Sequence, residues 1–173
     1  MKFRLVLTQE HAYGQIPVIN ANDNIQFFIQ GNLDNPNHTL YLYELNHHEL
    51  GRLFRDGSGL IVSFTIDVIN HSLVHIKKPN SPLTDVFYLS GLNYFVYGNV
   101  KQGHYTFRSA FKRVATVSTH IEPAGVTLHC EIAKPEDVPF ILLTTILLTQ
   151  WHVTPLKLPT FPPIGRTWST SPN

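Results

Sequence analysis

The stretch DVPFILLTTILLTQW, residues 137–151, constrains this chain more than any other. Between Val138 and Thr149 nothing polar larger than threonine interrupts it, so a helix here has no polar face and must be buried in protein or in lipid. The lead-in suits a helix start. Pro135 lacks the N–H that a first turn leaves unpaired, and Glu136 and Asp137 bring negative charge to the positive end of the helix dipole. Thr144, Thr145 and Thr149 can each bond a carbonyl one turn back. A helix over 138–153 is roughly 24 Å long at ~1.5 Å per residue, short of a hydrocarbon core of about 30 Å. Its flanks also lack the Lys/Arg clusters and paired aromatic belts of an anchored span. Buried inside the protein is therefore the preferred reading; a membrane-associated helix and a pair of inner strands are the alternatives.

The preceding residues suggest what surrounds it. Alternation with period two is clearest in Val62 to Val68 and in Val126 to Ile132, with the even positions apolar and facing inward. Shorter runs of the same kind are Phe3 to Leu7, Ile16 to Ile19, Ile25 to Ile29, Leu40 to Leu45, Leu50 to Phe54 and Leu73 to Ile76. Val86 to Leu89, Tyr94 to Val100, Tyr105 to Arg108 and Arg113 to Ser118 complete the set. They are rich in Val, Ile, Phe, Tyr and Thr, which fit a pleated, half-buried surface. Turn residues separate many of them: Asn22-Asp23-Asn24, Asp34-Asn35-Pro36-Asn37, Asp56-Gly57-Ser58-Gly59, Asn70-His71, Ser90-Gly91 and Gln102-Gly103 among others. About a dozen short strands at this spacing read as an antiparallel sandwich or barrel. An all-apolar helix after them has a natural home in a barrel lumen. The expected fold is all-β with one helix: a closed antiparallel β-barrel of about 12 strands around a buried C-terminal α-helix. Residues 1–153 form that domain. Residues 154–173 carry Pro155, Pro159, Pro162, Pro163 and Pro172, a density neither helix nor central strand tolerates, and read as an extended tail.

With 14% charged residues and a formal net charge of +1, the chain has no global pull towards nucleic acid or membrane, and an electrostatic partner needs a local patch. Cys130 is the only cysteine, which fits a reducing, cytoplasmic setting. The start MKFRLVLTQE has only a three-residue apolar run after Arg4, far short of a signal peptide's core.

The order of elements, many antiparallel strands and then one hydrophobic helix, resembles the tubby C-terminal-like superfamily, and within it the LURP-one-related and phospholipid scramblase-like branch. The segments that carry the resemblance are LYELNHHELGRL (42–53), Phe64 to Ile66 and Val74 to Lys78, FYLSGLNYFVYGN (87–99) before Tyr105, Val114 to Ser118, and Leu128 to Ile132 leading into the helix. It covers roughly residues 37–152. The resemblance implies a barrel enclosing a central helix, and a non-enzymatic binding or scaffolding module whose partner is a phosphoinositide, another anionic lipid head group or a protein. The palmitoylated cysteines and proline-rich arm of animal scramblases are missing, so lipid scrambling is not expected.

Candidate sites are few. The ten histidines form no HExxH and no tight cluster with Asp or Glu, and no metal or cofactor is implied. His71 and His75 fall in a hairpin pattern, where residues four apart stand about 13 Å from each other, and His47-His48 lies in a turn. Cys130 lies on the apolar face of its strand and reads as an inert buried thiol. No Gly-x-Ser-x-Gly elbow is present, and Asp56 to Gly59 lacks the Lys of a phosphate loop. There remain basic residues at strand ends: Lys77 and Lys78, then Arg108, Lys112 and Arg113. Brought to one rim they would form a patch for an anionic head group. A different class of function, a lipocalin-like carrier of a small hydrophobic ligand, is disfavoured because the helix would fill the lumen and no early Gly-x-Trp occurs.

Overall fold

A computed structural model describes residues 1–7, 14–32, 38–56, 63–78, 86–123 and 125–150. Twelve strands form one closed antiparallel barrel in which each strand pairs with its neighbours in sequence and β12 closes onto β1. They are β1 (Lys2–Leu7), β2 (Gln15–Asn20), β3 (Ile25–Gln30), β4 (Leu40–Glu44), β5 (Glu49–Asp56) and β6 (Ser63–Val68). Next come β7 (Val74–Lys77), β8 (Phe87–Ser90), β9 (Tyr94–Asn99), β10 (His104–Ser109), β11 (Lys112–Glu122) and β12 (Gly125–Ile132). A 3-10 turn, Pro135–Asp137, leads into α1 (Val138–Gln150). Among the described residues no helix is long and apolar enough to cross a membrane.

The helix fills the lumen. Ile141, Leu142, Leu143, Thr144, Thr145 and Ile146 are fully buried, and only Pro139 and Thr149 of α1 are even half-exposed. It packs against β4, β5, β6 and β12, whose inward residues include Leu42, Leu53, Ile66 and Leu128. Thr144 and Thr149 donate their hydroxyls to the carbonyls of Phe140 and Ile146, at 2.7 and 2.6 Å. These bonds let polar groups sit in an apolar lumen at little cost.

All the expected strands are present, with shifted ends. Leu45 and Leu73, read as strand residues, belong to hairpin turns and are 57% and 51% exposed. Val100 begins a 3-10 turn, Val100–Gln102, rather than ending β9. Val126 was expected inward and is 40% exposed; it pairs with Ile121 near the open tip of the β11–β12 hairpin, where no wall is left to cover it. Conversely Thr65 faces out yet is buried, because Asp56 and His75 close over it. Residues 151–153 of the expected helix and the whole 154–173 tail lie outside the described residues.

The barrel has two unlike ends. At one, which we call the hairpin end, lie the turns β2–β3, β4–β5, β6–β7, β8–β9 and β10–β11 together with the start of α1. Each of those turns holds one non-glycine residue at positive φ: Asp23, His47, Asn70, Asn93 and Ala110. Asn and Asp adopt that conformation readily; Ala does not. The far end receives the C-terminus of α1.

Candidate functional site

Because the lumen is occupied, chemistry has only the outer wall and the two ends to use. Lys77 closes β7, and Lys78 follows it with Nζ 5.7 Å from the centre of the Phe87 ring. Arg108 lies near the end of β10, and Lys112 and Arg113 open β11. The topology does not bring the two groups to one rim. Lys77 and Lys78 sit where β7 runs towards the far end, whereas Arg108, Lys112 and Arg113 flank the β10–β11 turn at the hairpin end.

Register joins the two groups in another way. Lys77 pairs with Tyr88, Tyr88 with Phe95, Phe95 with Arg108, and Arg108 with Arg113, so these side chains form one outward row across five strands. At ~4.8 Å between strands, Lys77 and Arg108 stand roughly 14 Å apart. The space between them is aromatic. The rings of Tyr88 and Phe95 lie 4.7 Å apart and those of Phe95 and Tyr97 6.0 Å, and the Tyr88 hydroxyl donates to Asn93 Oδ1 at 2.7 Å. The basic residues are thus brought onto one wall, though not into one cluster.

This wall contains no carboxylate. From Val86 to Ile121 the sequence has no Asp or Glu, against four cations: Lys101, Arg108, Lys112 and Arg113. Elsewhere cations are paired: Lys2 with Glu131 at 2.9 Å, Arg4 with Asp23, Arg52 with Asp67 at 3.0 Å and Lys134 with Glu136 at 3.3 Å. The Lys2 ammonium holds Glu131 below the usual carboxylate range. Among the described residues no carboxylate lies within ion-pair distance of Lys77, Arg108, Lys112 or Arg113, although Glu131, bonded to Lys2, is near enough for the Arg113 charge to help lower it. A near-neutral protein therefore carries a strongly one-signed face. The aromatic cluster and the missing acids were not singled out in the sequence, although the acid-free run can be read there directly.

A second feature lies around the barrel on β11, β12 and β1. A groove of about 490 Å³ is lined by Lys2, Arg4, Ser118, His120, His129 and Glu131, among others. His129 Nε2 donates to Glu122 Oε1 at 3.0 Å, and this hydrogen bond keeps the Glu122 carboxyl below its ordinary range. Ser118 Oγ lies 3.1 Å from His120 Nε2, and the two imidazole rings are 4.5 Å apart. Nucleophilic catalysis needs a hydroxyl, a base and an orienting acid on one relay. Here the hydroxyl meets one histidine and the carboxylate the other. The groove's ionic groups come in opposite-signed pairs, so it offers no net field to an anion.

A third network joins Asp56, Thr65 and His75 on β5, β6 and β7. The Thr65 hydroxyl donates to Asp56 at 2.6 Å and lies 2.8 Å from His75 Nδ1. It knits three strands together. Cys130 is a free, buried thiol whose pKa burial pushes up to about 12. His71 packs its ring edge-on against Phe140 at 5.4 Å, away from His75. Among the described residues no three His, Cys, Asp or Glu side chains gather as a metal site requires. Compared with known proteins, the chain matches no family model, no curated protein and no solved structure.

Proposed function

We propose that this chain is a non-enzymatic binding module of the tubby/LURP-one-like kind, cytoplasmic, that holds the anionic head group of a lipid on its outer wall. One observation carries the reading. The wall of β8 to β11 has no acid from Val86 to Ile121 yet presents Arg108, Lys112 and Arg113 to solvent, with Lys77 at its edge. Surface cations outside an ion pair gain most from a multivalent anion, because Arg forks match phosphate oxygens and no direct carboxylate contact must first be broken. A carrier of the lipocalin type is disfavoured because, among the described residues, the helix occupies the lumen that such a carrier keeps open.

The test is co-sedimentation with phosphatidylcholine vesicles, with and without phosphatidylserine or a phosphoinositide. Binding should require the anionic lipid and weaken as salt rises, since exposed charges are screened over about 10 Å at 0.1 M. Arg108→Glu combined with Arg113→Glu should abolish it, whereas Lys77→Glu, at the wall's edge, should reduce it less. Vesicle binding that the double substitution leaves intact would remove the wall from the function.

A further inference from the structure

We propose that the β10–β11 hairpin is a membrane-insertion tip, with Phe111 entering the interfacial layer of an anionic bilayer while Arg108, Lys112 and Arg113 engage its phosphates. This rests on the head-group reading and names how the same wall meets its lipid. Phe111 is 94% exposed, the most exposed large apolar side chain among the described residues. It is also firmly mounted. Ser109 pairs with Lys112 and Arg108 with Arg113, so only Ala110 and Phe111 form the turn. Ala110 adopts φ 46°, a backbone region that costs a non-glycine residue and that places Phe111 at the apex.

Charge and shape favour a bilayer over a protein partner. Three cations surround the tip with no acid anywhere on β8 to β10 or on β11 as far as Ile121. At this end the β6–β7 turn exposes Ile69 at 46% and Leu73 at 51%, and the β4–β5 turn exposes Leu45 at 57%. Apolar side chains divided among separate tips make no continuous face for a protein to cover. A soft interface accepts them one by one, and aromatic residues with flanking Lys and Arg are what such interfaces select. The acid-flanked β4–β5 turn, with Glu44 and Glu49, lies across the barrel from β10–β11 in the strand order. A hairpin-first, tilted approach therefore keeps those carboxylates furthest from the lipid.

The experiment compares wild type, Phe111→Ser and Phe111→Trp on phosphatidylserine-containing vesicles and on soluble inositol hexakisphosphate. Removing the ring should weaken vesicle binding on the order of five- to tenfold, the worth of partly burying one Phe, and leave binding of the soluble phosphate unchanged. Phe111→Trp should keep vesicle affinity and show a blue-shifted emission on adding vesicles, measured as a difference from wild type because the chain already has two Trp. If the Arg108/Arg113 reversal abolishes vesicle binding while Phe111→Ser binds as wild type and Phe111→Trp shows no shift, insertion is wrong and the head-group reading stands. Equal weakening towards vesicles and the soluble phosphate would also overturn insertion. A wild type that ignores anionic vesicles overturns both.

Discussion

Replacing Leu143 by alanine tests whether α1 is enclosed. Leu143 is mid-helix and fully buried, with fully buried neighbours on both sides in the chain. The substitution removes three carbon groups, roughly 2.4 kcal/mol at ~0.8 kcal/mol per buried group. A cavity term adds to that, and its size depends on how far the surroundings relax. A helix on a protein surface can sink into the gap. One ringed by twelve hydrogen-bonded strands cannot move towards one wall without leaving the opposite one. The total should therefore lie near the upper end of the leucine-to-alanine range, about 4 kcal/mol. With a slope of about 2 kcal/mol/M, the urea midpoint should fall by about 2 M. Leu45→Ala is the control: the same chemistry at 57% exposure should cost under about 0.5 kcal/mol. A dry apolar cavity should also take up a small apolar probe such as benzene, which would restore part of the lost stability. A loss below about 1 kcal/mol for Leu143→Ala, or one equal to that of Leu45→Ala, would refute the enclosure.

Two further outcomes test particular residues. Asp137 is buried at the start of α1, accepts from the Tyr94 hydroxyl at 2.8 Å, and burial raises its carboxyl above the ordinary value. A raised acid favours folding most below the unfolded value of about 3.9 and loses that advantage as pH climbs through the folded value. Asp137→Asn should accordingly gain on wild type as the pH is raised from about 3 to neutral, in paired urea melts; a pH-independent difference would contradict the assignment. Ala110→Gly relieves the positive φ at the β10–β11 turn and should stabilise by about 1 kcal/mol, read as a rise in thermal midpoint. No rise would mean that the turn is unstrained.

The fold was legible because two unlike periodicities meet in one chain. Alternation of period two gives each strand an apolar face, and the helix that follows has no polar face at all, so a closed wall around it satisfies both patterns. Val126 marks where this logic stops: an apolar residue continues the alternation whether or not a wall remains to cover it, so Val126, in phase with Leu128 and Cys130, reads as inward and is 40% exposed. Leu45 and Leu73 are apolar but out of phase with the inward residues of their strands, and they lie exposed in the turns. The β10–β11 turn left no sign, because Ala110 and Phe111 are not turn-forming residues and the conformation is imposed by the pairing of Arg108 with Arg113. The candidate site was half legible for a related reason. Lys77, Arg108 and Arg113 could be named from charge alone, but their neighbours across the sheet depend on register. Arg108 meets Phe95, thirteen positions earlier in sequence, only because β9 and β10 pair as they do. Register also makes an acid-free run into a surface property. Residues 86–121 have little charge density along the chain, but rolled into β8 to β11 they place every cation on one sector of the barrel. A net charge of +1 thus says little about partners: opposite charges on opposite walls cancel in the sum while acting, within a Debye length, on whichever surface approaches.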